Sequence, residues 1–184
     1  IKASGLYPDG RIVIAGTGPL IWLYAAQLLR SGGKIAAILD TTDHAARRAA
    51  LPRLPAFAAS RYLRKGLALM AEVRRRVRVI SGVTWFALEG EDRVGEVHYW
   101  RGDKSDRMSA EVVLLHQGVV PQVNLAMAAG IPHRWDDGQL CFVPEVDDDG
   151  QTAHSRIAIA GDGVGIAGWE AAVDRGRLAG IAAM

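Results

Sequence analysis

The sequence predicts an α/β chain with a parallel sheet, and three observations carry that expectation. The run Arg11-Ile12-Val13-Ile14-Ala15 is short, β-branched and free of polar interruptions, as suits a strand buried on both faces. It ends at Gly16, and from Pro19 to Arg30 the residues are apolar nearly all round, so the helix they form needs cover rather than a solvent face. Gly32 and Gly33 stop that helix, because glycine takes the left-handed position that closes a C-terminus, and Lys34 to Leu39 then resumes the apolar strand pattern. Strand, glycine turn, helix, glycine turn and strand make a βαβ unit of the usual length, roughly 30 residues.

Further along, Asp43 to Ala50 reads as a short helical turn, and Pro52 and Pro55 argue for an irregular connection. Ser60 is a candidate N-cap for a helix to about Arg76, in which Leu63, Leu67, Met70 and Val73 recur at helical spacing and cover the sheet. A third strand is expected over Val77 to Ser81. A hairpin follows, from Val83 to Glu89 and Val94 to Arg101, with Glu91, Asp92 and Arg93 at its turn, and Arg107 to Ala110 adds a short third strand. Glu111 to His116 returns to the buried-strand pattern. Beyond Gly118 and Pro121 the expectations are a helix over Asn124 to Ala129, an Asp-rich polar loop, a strand over Arg156 to Ala160 that runs into Gly161-Asp162-Gly163, and a helix over Ile166 to Ala183 with Ala and Leu inward. Alternating strands and helices with an antiparallel insertion predict a Rossmann-like three-layer domain, a parallel sheet with an inserted β-meander.

Composition narrows the function classes. The 184 residues suffice for one good core and a second small lobe, with residues 1–118 and 119–184 as the expected division. No stretch reaches the roughly 18 apolar residues of a membrane span. A net charge of +2 gives no reason to expect a nucleic-acid partner, and the run Arg74, Arg75, Arg76 and Arg78 reads as a solvated helix end. One cysteine, Cys141, excludes an internal disulfide or paired redox thiols, so redox chemistry needs a bound cofactor. Residues 1–10 lack the features of a secretory signal, which makes the cytoplasm the expected location, and Ile1 in first place points to a longer natural chain.

The motif with chemical content is Gly16-Thr17-Gly18-Pro19-Leu20. A dinucleotide pyrophosphate is held by backbone N–H groups at a helix N-terminus, and only a backbone without side chains lets it come close. Gly16 permits the turn after the strand, Gly18 the approach of phosphate, and Pro19 fits the first helical position, where its missing N–H is not needed. Ile21 stands where the fingerprint would have its third glycine. Asp40, 24 positions beyond Gly16 and followed by Thr41, is placed to accept hydrogen bonds from an adenosine ribose and to repel a 2′-phosphate. That favours NAD over NADP, with Arg47 and Arg48 keeping NADP open, since arginine neutralises that phosphate. The bland alternative is that both glycines only turn the chain and Asp40 only caps a helix.

On these residues the chain resembles the pyridine nucleotide-disulfide oxidoreductase superfamily, flavoproteins with two dinucleotide-binding domains. The resemblance spans Arg11 to Leu20, Leu114-Leu115-His116-Gln117-Gly118-Val119-Val120-Pro121 with Asn124, and Ile157 to Asp162. It implies that residues 1–118 are the NAD(P)-binding domain and 119–184 the C-terminal piece of the FAD-binding domain, that Gly118 and Pro121 mark the return between them, and that Gly161 and Asp162 contact FAD. Within that group the motif Gly16 to Leu20, the segment His116 to Pro121 and Gly176-Arg177-Leu178-Ala179 look like the FAD-containing subunits of opine oxidases and hydrogen cyanide synthase. Such enzymes oxidise a C–N bond of an amino acid or its N-alkyl derivative. The sequence departs from the disulfide reductases in lacking paired cysteines, and from complete members in lacking an amino-terminal flavin fingerprint before residue 1. The resemblance therefore implies a fragment whose partner is the missing flavin-binding half or another subunit, besides a small-molecule substrate; a homo-oligomer stays open.

No residue reads as an obvious acid, base or nucleophile, as expected where the cofactor carries the chemistry. His116 reads as a structural histidine at a buried strand end, Cys141 as a small buried hydrophobe, Asp147 to Asp149 as a solvated loop, and Trp22 and Trp169 as core. Two functions remain: a module of an FAD- and NAD(P)-linked oxidoreductase, or a non-catalytic nucleotide-binding or interaction subunit that keeps the fold without turnover.

Overall fold

The computed structural model describes residues 5–58 and 60–183, and the chain divides into two compact units, Ile1–Gly118 and Val119–Met184. In the first, β1 (Ile12–Gly16), α1 (Pro19–Arg30) and β2 (Ile35–Asp40) form the βαβ unit. There follow α2 (His44–Ala50), a 3₁₀ turn over Leu51–Arg53, α3 (Leu54–Ala58), α4 (Arg61–Arg74), β3 (Arg78–Ser81), the meander β4 (Trp85–Glu89), β5 (Glu96–Arg101) and β6 (Lys104–Ser109), and β7 (Val112–His116). The four parallel strands lie in the order β3-β2-β1-β7. β1 thus has a neighbour on each side, which is why an uninterrupted apolar run fits it: every one of its residues is buried.

Two apolar clusters make three layers of one sheet. On one face Ile12, Ile14 and Ile38 meet Ile21, Ala25 and Leu28 of α1 and Val73 of α4. On the other, Val13, Ala15, Leu39 and Ile80 meet Val97 and Tyr99 of the meander. Each fully buried Ile, Leu or Val contributes about 1.5–3 kcal/mol, so alternation along β1 stabilises both faces together. The α/β fold with its inserted antiparallel meander is as the sequence predicts.

Several elements differ from expectation for physical reasons. Among the described residues β7 has β1 alone beside it, so Val112 to Leu114 are only partly buried and Leu115 is exposed, unlike a central strand. The Pro52 and Pro55 region is not irregular: each proline sits in the first turn of a short helical segment, where no N–H is required. Ser60 takes the N-cap position of α4 without a side-chain cap, since its hydroxyl donates to the Phe57 carbonyl at 2.7 Å. On α4 Val73 is buried while Leu67 is exposed.

The second unit contains α5 (Asn124–Ala128), the hairpin β8 (His133–Asp136) and β9 (Cys141–Pro144), and α6 (Trp169–Ala182). The hairpin lies where an Asp-rich loop was expected; Asp136 Oδ1 accepts the amides of Gly138 and Gln139 at 2.9 Å each and closes its turn. The strand expected over 156–160 does not form. Ala158 makes a single antiparallel bridge to Gln151, and one bridge is not a ladder. On α6, Ala179 is buried, but Trp169, Leu178 and Ile181 are exposed, so Leu is not inward and Trp169 is not core.

Candidate nucleotide-binding site

Pairing sets the carboxyl ends of the sheet strands level: Gly16 lies opposite Asp40 on one side and His116 on the other, and Asp40 lies opposite Ser81. In open α/β sheets ligands bind beyond such ends. The chain is stitched there by Thr17 N–H to the His116 carbonyl at 2.9 Å and Thr41 N–H to the Gly16 carbonyl at 3.0 Å.

The two glycines are needed for different reasons. A Cβ on Gly16, whose φ is 154°, would lie 1.8 Å from the His116 carbonyl oxygen, so this glycine serves the close approach of β1 and β7. Gly18 has φ 87°, and a Cβ there would meet nothing within 4 Å. It occupies the N-cap of α1 without a side chain, Pro19 follows in the first turn, and the first-turn amides beyond it have no intrahelical acceptor. A positive helix end with open space before it suits an anionic group. Ile21, at the place of a third glycine, is buried in the helix-side cluster, so α1 docks on the sheet through a side chain.

Asp40 is the one charged side chain buried among the described residues. Its Oδ1 accepts the Thr42 amide at 3.0 Å and its Oδ2 accepts Arg47 Nη2 at 2.9 Å. Two bonds leave part of a carboxylate's acceptor capacity available. Thr17 and Thr42 share a hydroxyl hydrogen bond of 2.8 Å across the two strand ends. Thr41 Oγ1 lies 3.4 Å from Gln117 Oε1. Gly18, Pro19, Trp22, Asp40, Arg47 and Arg74 line one cleft of about 410 Å³. The Arg74 guanidinium stands 5.2 Å from the Trp22 ring centroid. Trp22 and Arg74 were not expected here. Their meeting depends on α1 packing against α4, which nothing in the local sequence announces.

Leu20 is not in that cleft; it lines a second, apolar cavity of about 770 Å³ with Ile14, Tyr24, Leu114 and His116. His116 is half-buried rather than buried. Gly118, with φ 132° and nothing within 4 Å of a Cβ, follows β7. In the second unit Gly161 opens a 3₁₀ turn over Gly161–Val164 with φ 65°, and Asp162 is exposed. Arg175 Nη1 ties that turn by donating to the carbonyls of Gly161 at 3.3 Å and Gly165 at 2.6 Å. Asp147 Oδ1 caps its own loop, accepting the amides of Asp149 and Gln151.

No protein-family model matches the chain. The A subunit of opine oxidase from Agrobacterium tumefaciens (strain Ach5) is 42% identical over 184 residues, all of this chain and 37% of that protein. Over its whole length, the chain is a homologue of the opine oxidase A subunit. Hydrogen cyanide synthase subunit HcnB of Pseudomonas protegens is 29% identical over 191 residues, 98% of this chain and 40% of that protein. The chain thus spans well under half the length of these relatives. Among solved structures, bacillithiol disulfide reductase Bdr (YpdA) from Staphylococcus aureus superposes with a TM-score of 0.66 at 16% identity, over 96% of this chain and 51% of its own. Thioredoxin reductase from T. acidophilum gives 0.61 at 16% identity, over 93% and 50%. These likenesses establish the fold shared with such flavoprotein domains.

Proposed function

We propose that this chain is the NAD(P)-binding module, with the C-terminal piece of the flavin domain, of an FAD-dependent oxidoreductase subunit that oxidises a C–N bond in an amino acid or opine-like substrate. The observation that carries the reading is the Gly18 helix start, open to the depth of a side chain and lining the same cleft as the buried Asp40 carboxylate. The amides that follow Gly18 take the pyrophosphate, Thr17 and Thr42 hold the two strand ends together, and Asp40 with Thr41 faces the adenosine ribose. Gly161 and Asp162 contact FAD in the complete protein, and Gly118 marks the passage between domains. FAD, when bound, supplies the hydride acceptor; the residues here bind and orient. Relatives named as subunits support a partner subunit. No helix among the described residues is long and apolar enough to cross a membrane, which is compatible with the cytoplasmic location we favour.

NAD is favoured over NADP, because a 2′-phosphate beside Asp40 meets a carboxylate that already holds the Arg47 guanidinium. Titration of NAD and NADP into the protein tests this. The expected result is saturable NAD binding, at least about tenfold tighter than NADP and weakened at least about tenfold in Gly18→Ala. Equal affinities overturn the preference, and no binding of either overturns the site. A complete protein that binds nucleotide but carries no flavin absorbance and turns nothing over would instead be the non-catalytic subunit.

A further inference from the structure

The outward face of the meander carries a second cluster, apart from the nucleotide cleft. Glu89 ends β4, Glu96 begins β5 directly opposite it, and His98 follows two residues on, so the strand period of two places all three side chains on one face. Their ligand atoms lie within 4.8 Å of one another. His98 Nε2 stands 3.4 Å from Glu89 Oε2 and 3.7 Å from Glu96 Oε2. It is shielded from solvent and has no hydrogen-bond partner.

Those separations are informative. A charge-assisted N–H···O bond closes to about 2.7–2.9 Å. Ligands bonded to one tetrahedral zinc at about 2.0–2.1 Å stand about 3.3–3.4 Å apart from each other. A buried imidazole nitrogen without a partner asks for an unseen water or ion, and this one faces two carboxylates. We propose that Glu89, Glu96 and His98 bind one zinc-class divalent cation, which pins the mouth of the β4–β5 hairpin. Imidazole with two carboxylates suits zinc, whereas Mg²⁺ prefers oxygens alone. Arg107, across the ladder from His98, reaches Glu96 Oε2 at 3.8 Å and is the cation that the metal displaces.

The test is calorimetric titration of Zn²⁺, with Mg²⁺ as control, into chelator-treated protein. One equivalent of Zn²⁺ binds, and His98→Ala weakens that step at least about tenfold. Glu89→Gln and Glu96→Gln, at side chains 58% and 41% exposed, weaken it with the far-ultraviolet circular dichroism unchanged, which keeps the test decisive should His98→Ala fold poorly. Arg107→Gln tightens it. Zn²⁺ binding that is absent, or equal in the native protein and in both Gln variants, overturns the proposal.

Discussion

Two stretches of this chain look alike on paper and fold differently. Ile12 to Ala15 before Gly16, and Ile157 to Ala160 before Gly161, are both short apolar runs closed by glycine. The first is a strand with parallel neighbours on both sides and 0–2% exposure. The second makes one bridge and leaves Ile157 and Ile159 half-buried and Ala158 and Ala160 exposed. What separates them is not propensity but the presence of partners: a strand is a packing arrangement, and its residues express it only where a ladder and a covered face are available. The first unit supplies both, with α1 and α4 on one face and the meander on the other. The second supplies a hairpin and a helix that buries Ala179 while Trp169, Leu178 and Ile181 stay exposed.

Hydrogen exchange should show the largest contrast. The Val13 and Ile14 amides, in a ladder and away from solvent, exchange only through global opening, whereas those of Ala158 and Ala160 exchange through local opening, at least about a thousandfold faster. Equal protection in the two runs would end the comparison. Substitution of the closing glycines sharpens it. Gly16→Ala drives a Cβ into the His116 carbonyl and costs roughly 3 kcal/mol or more in denaturant titration, because the β1–β7 ladder has to shift. Gly161→Ala meets Ala172 at an ordinary 3.7 Å and carries only left-handed strain, about 1–2 kcal/mol. Comparable losses in both would mean that the second glycine is held as closely as the first.

The same contrast explains what could be read from the residues alone. The βαβ unit was legible because each of its signals is local: a β-branched run, two glycine turns and an all-round apolar helix. The placing of Gly16 beside Asp40 at adjacent strand ends came with it, since parallel pairing brings those two positions level. The reason for Gly16 was not legible, because it lies in a strand nearly a hundred residues away. Arg74 and Trp22 were hidden for the same cause, and helix periodicity turns Leu20 toward another cavity, which its place in the motif does not announce. The β8–β9 hairpin was missed although Asp137-Gly138 is a hairpin signal, masked by the surrounding acidic residues.

The smallest expected effect lies in the meander, the layer that gives the first unit its second core. Tyr99 is buried and its hydroxyl donates to Asp106 Oδ2 at 2.9 Å from the paired strand. Burial pushes the Tyr99 hydroxyl above its ordinary value, and the bond to Asp106 and that residue's negative charge push the same way. The Arg107 amide holds the Asp106 carboxyl below its ordinary value, helped by the Tyr99 hydroxyl and the charges of Arg78 and Arg101. A raised tyrosine stabilises the fold at every pH below its unfolded value, about 10, and that contribution fades as pH climbs through the folded value. A lowered carboxylate works in the opposite window: its contribution is present above about 3.9 and fades as pH falls through the folded value. Tyr99→Phe should therefore lower the thermal midpoint slightly at neutral pH, remove the alkaline decline that Tyr99 causes and soften the acid one. Midpoints of the two proteins measured across pH decide it. An alkaline limb of the same steepness in the Phe variant would show that the meander is held by its apolar contacts alone, with the Tyr99 hydroxyl contributing nothing.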